Sequence, residues 1–264
     1  MAHVRDDRPF RGAAPPAAAY FYSPDRGGEH PAKHLANFTG FLQADGGACP
    51  RAGQRPDPGA GFEALYGPRR TGDGLLANAG ITEVACWAHC RRKFYDYWIA
   101  KKSPVAKEAI DRIAAFYEIE AKARFAHPDE RMAHRVGTAP LLTAFFGWAE
   151  KVVTKLSAKS DLAKAFRYTI KRREALSRFL TDARLEIDNN IAENAIRAIA
   201  LGRKNYLFAG ADSGGDRAAA MYTIVQTAKL NDVNPEAYLR DTLARIAEGH
   251  PINRIGALMP WTIR

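Results

Sequence analysis

From residue 103 to residue 185 the apolar side chains recur every three or four positions, and nothing alternates at the strand period of two. Ala106, Ala109, Ile110, Ile113, Phe116 and Tyr117 form one stripe. Leu141, Leu142, Phe145, Trp148, Val152 and Leu156 form a second, and Leu162, Phe166, Thr169, Ile170, Leu176 and Leu180 a third. Such stripes must be buried against other elements, so they predict a packed block of helices. The flanks read differently. Ala18–Tyr22, Gly40–Gly46 and Ile81–Trp87 are short strand-like runs, and Glu29–Phe38 a short helix. Helices are expected again from Asn190, from Arg217 to Leu230 and from Pro235 to Glu248. Strands, a helical run and further helices predict an α/β core with a large all-helical insertion and a helical C-terminal tail. The divisions fall at 1–100, 101–185, 186–232 and 233–264.

Several connections are legible as well. Asp6-Asp7-Arg8-Pro9 reads as a turn with almost no strand to feed it. Residues 47–60 are rich in Gly, Pro, Ala and Arg, the composition of a surface loop or disordered insert. Phe62–Tyr66 opens a short helix, Tyr206–Gly210 is extended, Gly214-Gly215 is a turn, and the tail after Gly249 is irregular.

The 264 residues carry a net charge of +10, which points to a polyanionic partner such as nucleic acid. No run of about 20 apolar residues exists to span a membrane, and MAHVRDDRPF has no apolar signal-peptide core. Three cysteines, Cys49, Cys86 and Cys90, argue against a disulfide scaffold and for a reducing, cytoplasmic setting.

The densest local signal is LEIDNNIAENAIRAIALGRKN, residues 185–205. Asp188, Asn189 and Asn190 are good helix caps, and Asn190 with Glu193 has capping-box spacing. Asn190, Glu193 and Arg197 share one helix face. Glu193 is therefore either a cap or a metal ligand on spacing alone. Asp45 ends a strand-like run, where ligands of α/β sheets bind. If the two carboxylates meet, they could hold magnesium; a turn Asp and a helix cap are the plainer alternative. Cys86, His89 and Cys90 lie close in sequence but lack a clear fourth zinc ligand. They read as buried thiols and a helix-start histidine, although His89 follows a strand end and could point toward the carboxylates. Basic clusters at Arg91-Arg92-Lys93, Lys171-Arg172-Arg173 and Arg203-Lys204 are solvated surface or phosphate contacts.

Four phrases, LQADG, CWAHCRRKF, LEIDNNIAENAIRAIALGRKNYLFAG and NPEAYLRDTLARIAEGHPINRIGALMPW, closely resemble the large transposase of the IS66 insertion-sequence family, in that family's order. The resemblance implies an RNase H-like core of DDE type, in which two Asp and one Glu hold two magnesium ions for DNA cleavage and strand transfer. Asp45 matches the second Asp and Glu193 the Glu. Asn189, Asn190 and His89 would support them, and Arg91, Arg92, Lys93, Arg197, Arg203 and Lys204 would contact DNA. Implied partners are transposon-end and target DNA, further copies of the chain, and accessory proteins of the same element.

The chain also departs from the family. The first Asp is expected upstream of Val4-Arg5-Asp6-Asp7, so the sequence reads as N-terminally truncated. The insert after Asp45-Gly46 is atypical, as are Arg173 where Trp is common and Ala198 where Pro is common. Two functional readings follow: a DDE transposase by descent, expected to be inactive as this chain alone because the first Asp is missing, or a catalytically inactive fragment that only binds DNA or a partner subunit.

Overall fold

The computed structural model describes residues 2–25, 29–36, 40–43, 81–202 and 210–262. Its strands are β1 (Ala2–Arg5), β2 (Ala17–Tyr20), β3 (Gly40–Gln43) and β4 (Ile81–Val84). Its helices are α1 (Glu29–His34), α2 (Trp87–Lys101), α3 (Pro104–Ala123), α4 (Pro128–Val136), α5 (Thr138–Val153), α6 (Asp161–Lys171), α7 (Arg173–Ser177), α8 (Asn190–Gly202), α9 (Asp212–Leu230) and α10 (Pro235–Ala247). The described chain is thus mostly helical, with two small sheets. β1 and β2 pair antiparallel, Ala2 opposite Tyr20 and Arg5 opposite Ala17. β3 and β4 pair parallel, Gly40 opposite Ile81 and Gln43 opposite Val84.

The predicted stripes bury together except for Leu141, which lies on the outer face of its helix and is exposed. Ser103 and Ser160 cap α3 and α6, their hydroxyls accepting the Ala106 and Ala163 N–H groups. Ile113, Phe116, Phe145, Phe146, Phe166 and Leu176 then close over Trp87, which is fully buried. Three phenylalanine rings lie within 5.9 Å of the Trp87 indole, and its Nε1–H donates to the Leu176 carbonyl at 2.9 Å. The indole thus fills the centre without leaving its one donor unpaired.

Charge also lies inside this block. Arg131 and Arg135 of α4 are each 1% exposed. Arg135 grips Glu120 of α3 through two 2.7 Å bonds and donates to the Phe179, Asp182 and Leu185 carbonyls. Arg131 donates to the Pro9 carbonyl at 2.8 Å and to Glu186 at 2.6 Å. Desolvation raises the Glu186 pKa, and Arg131 opposes that rise. Together the two guanidinium groups fasten the segment that leads into α8.

A second, smaller core lies under α8. Ala2, Ala18 and Tyr20 of the hairpin pack on Ile196 and Ile199 of α8 and on Ala219, Tyr222 and Leu230 of α9. Thr227 of α9 accepts from the Ala18 N–H and donates to the Ala18 carbonyl, while Thr223 accepts from Tyr20 N–H. α9 thereby covers an edge of β2 that would otherwise be open to further pairing.

Some local expectations are corrected. A strand, β1, does precede the Asp6–Pro9 turn, because its residues find β2 as a partner. The run Ile81–Trp87 ends its strand at Val84, and Trp87 already opens α2. Gly214 and Gly215 are not a turn but the first turn of α9, their N–H groups donating to the Ala211 carbonyl. Gly215 is needed for space: a Cβ there would overlap the Tyr22 ring. The tail includes a 3-10 segment, Ile252–Leu258, rather than being irregular throughout. Residues 44–80, including the Gly/Pro-rich insert and the Phe62–Tyr66 helix, lie outside the described residues, as does the extended run from Tyr206.

Candidate active site

Asp188 starts α8: its carboxylate accepts the Asn190 N–H at 3.1 Å and the Asn190 side-chain amide at 2.8 Å. The Glu193 N–H donates to the Asn189 carbonyl at 3.1 Å. Glu193 itself points across to α2. Its Oε1 lies 3.2 Å from His89 Nδ1, and its Oε2 lies 3.6 Å from an Arg92 nitrogen. The carboxylate is therefore directed at a neighbouring helix start, not folded back as in a capping box.

Three backbone-anchored contacts bring these elements together. The Trp87 N–H donates to the Ile187 carbonyl at 3.1 Å, and the Asn189 N–H donates to Cys86 Sγ at 3.3 Å. Gln43, the last residue of β3, donates its side-chain amide to the Glu186 carbonyl at 2.8 Å. Residues 186–189 thus cross the C-terminal ends of the parallel pair β3–β4. Strand ends and two helix N-termini converge there, the usual place for ligands in α/β folds. Both helix starts also favour negative charge.

Beside Glu193, α2 and α3 flank an open cleft of about 580 Å³ lined by Arg91, Arg92, Tyr95, Tyr117, Glu118 and Asn190. The Arg91 guanidinium lies 5.9 Å from the centre of the Tyr95 ring. Burial pushes the Tyr117 phenol up, with the nearby Asp188 adding to the effect. Asn189 is buried, and its Nδ2 has no hydrogen-bond partner among the described residues.

The other sequence candidates are distributed as follows. Lys93 extends its ammonium over the Tyr168 ring of α6 at 4.6 Å, away from the cleft. Arg197 is exposed one turn beyond Glu193. Asp45, Arg203 and Lys204 lie outside the described residues. The Lys171-Arg172-Arg173 cluster is largely engaged internally. Arg172 pairs with Glu83, and Arg173 pairs with Glu150 at 3.1 Å while covering the Phe146 ring.

Two groupings go beyond the sequence expectations, which had His89 near the carboxylates but Cys86 only as a buried thiol. Cys86 joins His89 and Glu193, and one ligand atom from each lies within 4.8 Å of the others. The Cys-x-x-His spacing at a strand end was the available signal. The second group is the buried pair Arg131 and Arg135, whose positions on an amphipathic helix resemble a solvated face.

No described helix is long and apolar enough to cross a membrane. No solved structure matches the chain. Among curated proteins it is similar to the uncharacterized proteins y4qI and y4hP of Sinorhizobium fredii. It is 41% identical to each, over 100% and 98% of this chain and 46% of each relative. Uncharacterized protein y4jD of the same organism is 34% identical over 98% of this chain and 48% of its own length. The chain thus spans about half the length of the curated relatives it matches. Residues 2–217 match the model of the transposase IS66 family and residues 223–261 match the IS66 C-terminal element, so the chain belongs to the IS66 transposase family.

Proposed function

We propose that the chain forms the catalytic portion of an insertion-sequence transposase that cleaves DNA and joins strands by phosphoryl transfer. The observation that carries this reading is the convergence on Glu193 of the β3–β4 strand ends and the N-termini of α2 and α8. A parallel pair, an antiparallel hairpin and flanking helices are in keeping with an RNase H-like core. Glu193 suits a hard cation: its side chain keeps about a quarter of its exposure, leaving room for the waters that magnesium retains. Gln43, two residues before Asp45, is tied to the backbone that leads to Glu193. This supports Asp45 as the second carboxylate. Glu193 and Asp45 would hold magnesium, which supplies the charge that activates the attacking oxygen and steadies the leaving one.

The remaining groups act around that centre. His89 and Arg92 orient the Glu193 carboxylate. Asn189 and Asn190 fix the start of α8. Arg91 and Arg92 face the cleft and neutralise backbone phosphates, with the exposed Arg197 adding to the basic surface; Arg203 and Lys204 are further candidate contacts, and Lys93 is the least favoured because it lies over Tyr168. The partners in this reading are transposon-end and target DNA, other copies of the chain, and accessory proteins of the element, all in the cytoplasm.

The test is magnesium-dependent cleavage of DNA carrying the element's ends. Cleavage by the chain that Glu193→Gln abolishes while DNA binding persists supports the reading. DNA binding with no cleavage in magnesium would replace it with a binding-only role.

A further inference from the structure

We propose that Cys86, His89 and Glu193 form a binding site for a thiophilic divalent ion of the zinc class. The three side chains offer one sulfur, one nitrogen and one oxygen, with all three ligand atoms within 4.8 Å of one another. Zinc accepts this mixed set readily, whereas magnesium prefers oxygen alone.

Each donor is prepared by the fold. Cys86 is the residue that precedes α2, in extended conformation, and is 3% exposed. Its sulfur accepts the Asn189 N–H at 3.3 Å. His89 follows at the third position, on the same face of the opening turn. Glu193 arrives from the first turn of α8, already 3.2 Å from His89 Nδ1; a zinc-class ion held there competes with the magnesium proposed above for this carboxylate. Three ligands rooted in two helix starts leave a fourth position on the solvent side, the pattern of an open zinc site. Arg92, 3.6 Å from Glu193, is largely exposed and can swing outward as an ion takes its place.

Cys90 is not a candidate ligand. It is buried in the main core, and desolvation pushes its thiol up to about 12. The site therefore depends on Cys86 for its sulfur.

Cobalt(II) titration of the reduced, metal-free chain tests the proposal, because a cobalt–thiolate bond gives a near-ultraviolet charge-transfer band and four-coordination gives intense visible bands. One ion per chain should bind with both features, and zinc should displace it. The charge-transfer band should vanish in Cys86→Ser and persist in Cys49→Ser. His89→Ala should weaken cobalt binding about 10-fold or more, which keeps the test decisive if Cys86→Ser fails to fold. Asp45→Asn should leave the spectrum intact, so the outcome is separate from that of the DNA-cleavage experiment. Absence of the band in the parent chain, its survival in Cys86→Ser, or unchanged binding in His89→Ala would overturn the proposal.

Discussion

Arg135 and Glu120 meet fork to fork, Nε to Oε1 and the second nitrogen to Oε2, both at 2.7 Å, with the arginine 1% and the glutamate 6% exposed. This pair is buried at the root of the segment that carries Asp188 and Asn189. Removing Arg135 leaves Glu120 with only the more distant Arg131, at 3.6 Å, and leaves the Phe179, Asp182 and Leu185 carbonyls without their donor. Arg135→Leu should therefore lower stability by about 3–5 kcal/mol. The double variant Arg135→Leu with Glu120→Leu should recover part of that loss. Urea unfolding of the three proteins checks it, and a double variant no better than the single one would refute the desolvation argument.

Gly215 should resist enlargement despite its helical setting. Alanine normally stabilises a helix over glycine by up to about 1 kcal/mol. Here the added methyl would collide with the Tyr22 ring, whose hydroxyl donates to Asp212 at 2.8 Å. We expect Gly215→Ala to destabilise by about 1–3 kcal/mol, as for other overpacked contacts. Gly215→Ala combined with Tyr22→Ala should relieve the clash, as read by thermal melting.

Stability should fall in acid partly through His3. Burial holds its pKa down to about 4 from the ordinary 6.5. The unfolded chain takes up this proton near 6.5 and the folded chain only near 4, so the contribution is complete above pH 6.5 and declines from there toward pH 4. Its full size is about 3 kcal/mol. Comparing urea midpoints at neutral pH and near pH 4.5 for the parent and His3→Leu isolates it from the carboxylates. The variant should show the shallower decline.

DNA binding should weaken as salt rises, and Arg91 and Arg92 should account for part of the slope. Replacing either by alanine should reduce the slope of log affinity against log salt by about one, uniformly across sequences. Fluorescence anisotropy over a salt series measures this. Lys93→Ala, whose ammonium sits on Tyr168, should change the slope least of the three.

Much of the helical architecture is legible in the sequence, because amphipathic stripes have only one way to be buried. The caps Ser103 and Ser160 and the stripes through Ile113, Phe145 and Phe166 carry that information locally. The position of His89 beside Glu193 is legible too, since a residue just after a strand end faces the ligand edge. The Glu193–His89–Cys86 grouping is less so: it depends on the 186–189 segment crossing the strand ends, a tertiary event with no local mark. Arg131, Arg135 and Glu120 are charged positions that sequence patterns assign to solvent, and only their shared partners keep them inside. Gly215 resembles a turn residue because its role is set by Tyr22, nearly two hundred positions away in the chain.

Helix α8 is mounted at both ends. Its approach, through Leu185 and Ile187, belongs to the helical block, while Ile196 and Ile199 belong to the hairpin core. The carboxylate of Glu193 sits between those anchorages, like a needle on a beam resting on two piers. The placement of that side chain is therefore set by both cores at once, so loosening either one misplaces the carboxylate.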